Sequence, residues 1–456
     1  MPTFAADKMA AWTGGRWTRL PGGPIAGFTQ DSRQLAAGQV FVALKTAKRD
    51  GHDFLGEALA RGATAALVGR ENAAVPLPQL VVADPLAAFQ GIARGHRREF
   101  RGAVVGVTGS VGKTSTKDLL ALLLGGAPGV LATAGNLNNH LGVPLTLTRL
   151  EPAIHLAAVI EAGISGPGEM APLAEMISPD HAVVTLVAPA HLEKLGNVEN
   201  VAREKSVLPA AVRAGGLQVF PVSCLAWEPF RRLKQPLVLA PDNEGLTGFS
   251  GRSMTFKVFH RPDRTELTLA GRRRFNLRRV SSGMAGNAAL AVALAAELGV
   301  DDAVLQARLD HWQPSQWRGE FRAVGTAQVY GDFYNANPAS MADAIDAFNR
   351  VAADAPRLYV LGCMEELGPE AAAYHRQLGR PLHLRPGDFL FVLGDQAGAL
   401  REGLLENGND SAQIGVLAGL APVRERLAGF TGAVFLKGSR RYQLETVLDP
   451  HAAAHA

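Results

Sequence analysis

A three-domain α/β protein is the fold class this sequence predicts, and three observations predict it. The chain has 456 residues, too long for one core, so two to four domains are expected. Short, continuously apolar runs recur along it, separated by stretches with helical spacing, the pattern of parallel strands covered on both faces. The composition is globular, with 47% hydrophobic residues and with 50 glycines and 27 prolines serving as turns between those runs.

The elements come in this order. Residues 1–98 form a small unit, with strands "QVFVAL" (39–44) and "TAALVG" (64–69) and a helix "FLGEALARGA" (54–63) between them. Near Gly95 the chain turns polar and basic, "GHRREFRG", and reads as a linker. Residues 99–312 form a central unit whose buried-type strands are "AVVGVTG" (103–109), "LAAVIEAG" (156–163) and "AVVTLVA" (182–188). From about 220 to 280 shorter strands such as "SMTFKVF" and "ELTLAG" read as a β-rich insertion, and a helix over Asn287–Leu298 comes next. Residues 313–456 form a third α/β unit with strands "AQVYGDF", "RLYVLG", "DFLFVLG" and "AVFLKGS". No internal repeat or low-complexity tract stands out.

Charge and composition narrow the function classes. Lys and Arg number 46 against 42 acids, a net charge of +4, which is not the field a nucleic-acid partner requires. The run Arg272-Arg273-Arg274, with Arg278 and Arg279, reads as a solvated strand edge. Two cysteines without a CxxC pair argue against a disulfide framework and fit a reducing compartment. The start "MPTFAADKMAAW" has no apolar stretch and no 18-residue apolar span comes later, so neither secretion nor membrane insertion is expected, and the cytoplasm is the expected location. The 12 histidines show no HExxH or paired metal spacing.

The chemistry concentrates at "VVGVTGSVGKTST" (104–116). The common phosphate loop has glycine, four residues, then Gly-Lys-Ser/Thr. Here the first of those positions holds Val107. The context is nevertheless that of a phosphate cradle: an apolar strand, a glycine-rich turn, then a helix over Lys113–Leu124. The free N–H groups and positive dipole end of a helix N-terminus suit phosphate. Gly109 and Gly112 let backbone approach an anion, Lys113 would neutralise terminal phosphate oxygens, and the Thr114 hydroxyl would serve Mg²⁺.

A second constellation lies downstream. Glu161 ends one strand, and His191 sits in "APAHLEKLG" beyond another. The carboxyl ends of strands in a doubly wound sheet line one crevice. Glu161, His191 and the loop could therefore meet there as a carboxylate, an imidazole and phosphate oxygens around Mg²⁺. Taken singly, each residue is bland, since strand-end glutamates are often solvated and lone histidines usually just find hydrogen-bond partners.

These residues resemble the Mur ligase family, ATP-dependent amide-forming enzymes of peptidoglycan synthesis. The family's loop has the form TGxxGKT[ST], which "TGSVGKTS" matches, so Val107 is no defect. In the first unit, "TQDSRQLAAGQVFVALKTAKRDGHDF" resembles the family's uridine-nucleotide domain. In the centre, "TAGNLNNHLGVPLTL", "IEAGISGPGEM" and "AHLEKLGNVENVAREK" resemble the members that add D-alanyl-D-alanine. So do "YNANPASM", "ELG" and "LKGSR" in the third unit. The fold implied is a small uridine-nucleotide domain, a central parallel-sheet ATPase domain and a Rossmann-like C-terminal domain.

The resemblance also implies roles. Thr108, Gly109, Ser110, Val111, Gly112, Lys113, Thr114 and Ser115 would bind ATP, with Asn287 near the adenine and Arg318 and Asp332 reaching over from the third domain. Thr114, Glu161, His191 and Lys205 would serve Mg²⁺, Lys205 in a carbamylated form. A bare ammonium would repel the cation, whereas CO₂ addition gives the anionic oxygen Mg²⁺ prefers. Lys113, Lys205 and His191 would be the catalytic residues. By sequence alone Lys205 reads as a helix-surface lysine. Ser32, Arg33, Asn138, Asn139, Asn335, Asn337, Lys437, Ser439 and Arg440 would contact substrates. The chain departs from the family pattern in the adenine and third-domain region. Gly283 and Met284 stand where His-Asn is usual, Trp317 replaces a glycine before Arg318, and Gly331 and Phe333 replace an Asp and a Ser. Cys363 also replaces an Asp.

The implied reaction joins D-alanyl-D-alanine to UDP-N-acetylmuramoyl-tripeptide through an acyl phosphate, on small-molecule partners only and as a monomer. Two alternatives stay open: a related ligase with another acceptor, and a nucleotide-binding homologue without turnover.

Overall fold

The computed structural model describes residues 2–246 and 249–448; Met1, Thr247, Gly248 and 449–456, the end of the third expected domain, lie outside the described residues. Three sheets organise the chain. The first has the order Arg16–Trp17, Gln79–Val81, Ala65–Val68, Gln39–Val42, Gly27–Thr29, parallel except for its Arg16–Trp17 edge.

The "GHRREFRG" stretch expected as a linker is not one. It comprises the last turn of the helix Pro85–Glu99 and the short turn into the next strand. Arg97 is fully buried, donating from Nε to the Ile177 carbonyl at 2.9 Å and from Nη2 to Asp180 at 2.8 Å. Arg97 thereby docks the first unit onto the second, and its desolvation is offset because these guanidinium donors have partners.

The central sheet has nine strands. From its outer edge the order is Arg273–Arg278, Arg264–Leu269, Arg252–His260, Pro236–Pro241, Gln218–Pro221, His181–Val184, Ala103–Thr108, Ala157–Glu161 and Val130–Ala132. The last seven run parallel and the first two add on antiparallel, so the β-rich stretch extends this sheet. The arginine run lies on the edge strand, where Arg273 Nε donates to Asp302 at 2.8 Å.

Strand periodicity of two splits the central strand between two cores. Val105 and Val107 face the helices Lys113–Leu123 and Ser282–Glu297, while Val104 faces Met170–Ile177 and Val198–Ala210. Each buried valine contributes about 1.5–3 kcal/mol relative to exposure. The sheet is thus covered on both faces, as its uninterrupted apolar strands require.

The third sheet has the order Arg318–Val324, Ala327–Asp332, Ala433–Lys437, Arg357–Gly362, Phe389–Leu393, Ile414–Leu417, parallel except for the first strand. Cys224 and Cys363 are free and buried, and burial pushes their thiols up to about 12 and about 11. Among the described residues no helix is long and apolar enough to cross a membrane.

Candidate active site

The phosphate-type loop is built by its surroundings. Strand Ala103–Thr108 is pinned at its end by the Thr108 hydroxyl donating to the Ala162 carbonyl at 2.8 Å. Gly109 and Gly112 both have positive φ, 147° and 77°. A Cβ on Gly109 would lie 1.9 Å from Thr185 Oγ1, and one on Gly112 would lie 2.1 Å from Asn287 Nδ2. Both glycines are therefore required by backbone conformation and by close approach. Ser110 N–H donates to the Leu186 carbonyl at 2.7 Å and its hydroxyl to the Ala188 carbonyl at 2.8 Å, which tethers the loop to the neighbouring strand's exit. Thr185 donates to the Val111 carbonyl in the same way.

Gly112 caps the helix Lys113–Leu123 without a side-chain hydrogen bond. Its first N–H groups and its positive dipole end are left for an anion. Lys113 Nζ donates to the Gly109 carbonyl at 3.1 Å. Burial lowers its pKa most; Glu161 opposes the shift and Arg318 adds to it.

This loop opens into a cavity of about 620 Å³ at the carboxyl ends of the central strands. Two units share that cavity. Ser110 to Ser115, Asn138, Asn139, Glu161, His191 and Asn287 line it from the central unit, and Arg318, Asp332, Asn335, Asn337 and Lys437 from the third.

Glu161 is only 1% exposed. Its N–H donates to Thr133 Oγ1 at 2.9 Å, and Asn138 Nδ2 donates to Oε1 at 2.7 Å. Oε2 is buried without a hydrogen-bond partner, a costly state for a carboxylate oxygen unless a ligand completes it. A hard divalent cation or its water would complete it, and Thr114, a second hard oxygen donor, lines the same cavity. The residues present therefore fit Mg²⁺. Among the described residues no group of three His, Cys, Asp or Glu converges as a ready-made metal site.

His191 adopts φ 53° and donates from Nδ1 to Glu366 of the third unit. That fixes the tautomer and leaves Nε2 as the ring nitrogen for a ligand. Burial lowers the His191 pKa, against the pull of Glu366.

Lys205 corrects the surface reading. It lies on Val198–Ala210 with 1% exposure. Burial lowers its pKa far below the lysine range, and Lys113 lowers it further. Lys205, Thr108 and Gly109 are not among the residues that line the cavity.

The third unit reaches across. Arg318 Nη2 donates to Thr114 Oγ1 at 3.4 Å, and its guanidinium lies 3.8 Å over the Tyr334 ring. Asn337 caps the helix Pro338–Val351 through a capping box with Ser340, and its Nδ2 donates to the Ser110 carbonyl at 3.2 Å. Lys437 is 1% exposed and donates to Asp332 Oδ2 at 2.6 Å and to the carbonyls of Asp332 and Asn335. All three ammonium donors are thereby used, so Lys437 holds the Asp332–Asn335 turn in place. The Asn335 side chain accepts from Ala336 N–H at 2.8 Å, and Asn139 accepts from Leu141 and Gly142 N–H groups.

Four expected substrate contacts do not line this cavity. Ser439 is 8% exposed and caps the turn Arg440–Tyr442, and Arg440 pairs with Glu445. Ser32 donates to Glu57 at 3.1 Å, and Arg33 grips Asp31 through Nε at 2.9 Å and Nη2 at 2.8 Å in the first unit.

Two further interdomain contacts join the third unit to the central one. Asp343 accepts from Gly283 N–H at 2.8 Å, capping the helix Ser282–Glu297 from the third unit. Ser315 donates to Asp118 at 2.5 Å. No local pattern marks either, since each partner lies far away in sequence. Glu366, by contrast, belongs to the recognisable "ELG".

Comparison with known proteins agrees with this architecture. Three family models match: the Mur ligase family catalytic domain over residues 24–97, the Mur ligase middle domain over 107–295, and the Mur ligase glutamate ligase domain over 317–440. UDP-N-acetylmuramoyl-tripeptide–D-alanyl-D-alanine ligase of Escherichia coli K12 is 32% identical over 428 residues, 92% of each chain. Its counterpart in Haemophilus influenzae is 29% identical over 432 residues, again 92% of each. MurF from Acinetobacter baumannii superposes with a TM-score of 0.85 at 26% identity, covering 99% of both chains. MurF of Thermotoga maritima in complex with ADP gives 0.79 at 27% identity, over 93% of this chain and 96% of that one. With three successive domain models in order and a relative 32% identical over 92% of each chain, this protein belongs to the Mur ligase family.

Proposed function

We propose that the protein joins D-alanyl-D-alanine to UDP-N-acetylmuramoyl-tripeptide with consumption of ATP, in the synthesis of the peptidoglycan precursor. One observation carries this reading. An uncapped loop–helix cradle, an unpartnered buried carboxylate oxygen and side chains of the third unit share one cavity.

When bound, ATP would supply the phosphoryl group that turns the tripeptide's carboxylate oxygen into a leaving group, and Mg²⁺ would neutralise phosphate charge. The chain's own residues do the rest. N–H groups at the helix start and Lys113 stabilise negative charge that grows on the transferring group, a preorganised electrostatic contribution. Glu161 Oε2 and the Thr114 hydroxyl would hold the cation, with His191 Nε2 as a further donor. Burial and then the Lys113 charge push the Lys205 pKa down, which favours the neutral amine that adds CO₂, and the carbamate would return an anion to this cationic corner. Arg318, Asn337 and Asp343 clamp the third unit onto the central one, which orients an acceptor amine and excludes water from an activated carboxyl group. In this reading residues 1–98 hold the uridine nucleotide, 99–312 the ATP and 313–456 the dipeptide.

The test is ADP release with UDP-N-acetylmuramoyl-tripeptide, with and without D-alanyl-D-alanine. Dipeptide-dependent ADP formation is expected, and Lys113→Ala should abolish it. ADP formation that ignores the dipeptide but responds to another amine would reassign the acceptor. ATP binding with no acceptor-dependent ADP would mark a homologue without turnover.

A further inference from the structure

Trp317, Gly331 and Phe333 form one packed cluster. Trp317 has φ 59°, a left-handed backbone that costs a non-glycine residue about 1–2 kcal/mol. Its ring centroid lies 4.8 Å from that of Phe333, tilted by 33°, and the Arg322 guanidinium sits 4.7 Å from its centre. Phe333 is 1% exposed. Gly331 supplies the room: a Cβ there would lie 2.5 Å from Trp317 Cε3. The ring packing offsets the backbone cost, since an aromatic pair adds about 0.5–1.5 kcal/mol beyond its buried area. Each of the three residues makes sense only with the others.

What the cluster anchors is the next residue. Arg318 lies between two left-handed positions, Trp317 and Gly319, the latter at φ 75°. Gly319 is the extra residue where the register shifts from Arg318↔Asp332 to Glu320↔Gly331. The Trp317 ring thus flanks Arg318 on one side and the bulge on the other. Its guanidinium then stacks on Tyr334 and reaches Thr114 in the phosphate-type loop.

We propose that Trp317, seated on Phe333 in the space left by Gly331, is a positioning residue that sets the reach of Arg318 into the nucleotide cavity. This rests on the ATP-ligase reading above, and two separate readouts keep the two claims apart. ADP release with the tripeptide and dipeptide substrates tests the ligase reading on the wild-type protein. ATP affinity, measured by calorimetry on the full chain, tests the positioning claim. Trp317→Gly and Arg318→Ala should each weaken ATP binding by about tenfold or more, and the double variant should be no more than about twofold weaker than Arg318→Ala alone. Trp317→Phe, which keeps a ring on Phe333, should stay within about threefold of wild type. Gly331→Ala should weaken binding as Trp317→Gly does, because its new methyl displaces the same ring, and the pair of substitutions should not multiply. An unchanged affinity in either Trp317→Gly or Arg318→Ala, or effects that multiply in the double variant, would overturn the inference. So would a lowered melting temperature of Trp317→Gly with ATP affinity intact, the mark of a merely structural ring.

Discussion

Asn138 and Glu161 share a single hydrogen bond, Nδ2 to Oε1 at 2.7 Å, which orients the carboxylate so that its other oxygen is buried with no partner. An oxygen in that state destabilises the empty protein and favours a bound cation. Glu161→Gln should therefore cut ligase turnover by about 100-fold or more and raise the Mg²⁺ concentration needed for half-maximal rate. A Glu161→Gln protein with normal Mg²⁺ dependence would exclude Glu161 from the cation.

Lys205 should exist as a carbamate under ordinary CO₂. A ¹³C-bicarbonate-labelled sample should give a carbamate carbon resonance that disappears in Lys205→Arg, whose guanidinium stays charged and does not add CO₂. Turnover should fall when CO₂ is stripped and recover when bicarbonate returns. Activity indifferent to CO₂, with no such resonance, would show the lysine acting unmodified.

Asp343 should control how tightly the third unit closes. Its carboxylate takes the Gly283 N–H at the start of the helix that carries Asn287, although burial raises its pKa. Asp343→Ala removes a helix cap that spans two domains, worth about 1 kcal/mol. We expect an increase in KM for ATP of about five- to tenfold and a larger radius of gyration in small-angle scattering. Unchanged scattering together with unchanged KM would deny the clamp.

Acid should destabilise this protein from the imidazole range downward. Burial is the largest cause lowering the pKa of His96, His181 and His375. His375, 0% exposed, shows why: its Nδ1–H donates to the Ala371 carbonyl at 2.7 Å, while Nε2 accepts the Met364 N–H at 2.9 Å. A proton on Nε2 would destroy that acceptor. With the folded pKa below the unfolded value of about 6.5, the unfolded state binds more protons between the two. The contribution is thus complete above about pH 6.5 and is lost as pH falls through the folded value. Melting temperature should drop progressively below about pH 6.5, and His375→Gln should flatten part of that slope. A flat profile from about pH 7 to about pH 5 would contradict this.

Much of the architecture was legible in the sequence because it is local. The strand Ala103–Thr108, the turn through Gly109 and Gly112 and the helix from Lys113 follow from neighbouring residue types. The strands of the third unit are apolar runs bounded by glycine and polar turns, and they lie where those runs occur. The shorter strands Val130–Ala132, Gly27–Thr29 and Ile414–Leu417 are too brief to carry a period, and only pairing with their neighbours defines them.

By itself, then, the sequence determined the order of elements, the phosphate-type loop and the family, since backbone conformation and motif spacing are set within a few residues. Tertiary structure alone decided which polar groups lose water and which partners they gain. It buried Lys205 and Arg97, committed the Lys437 ammonium to the Asp332 turn, left Glu161 Oε2 without a partner and seated Trp317 in the gap at Gly331. Desolvation and packing depend on segments distant in the chain, and no reading of adjacent residues contains them.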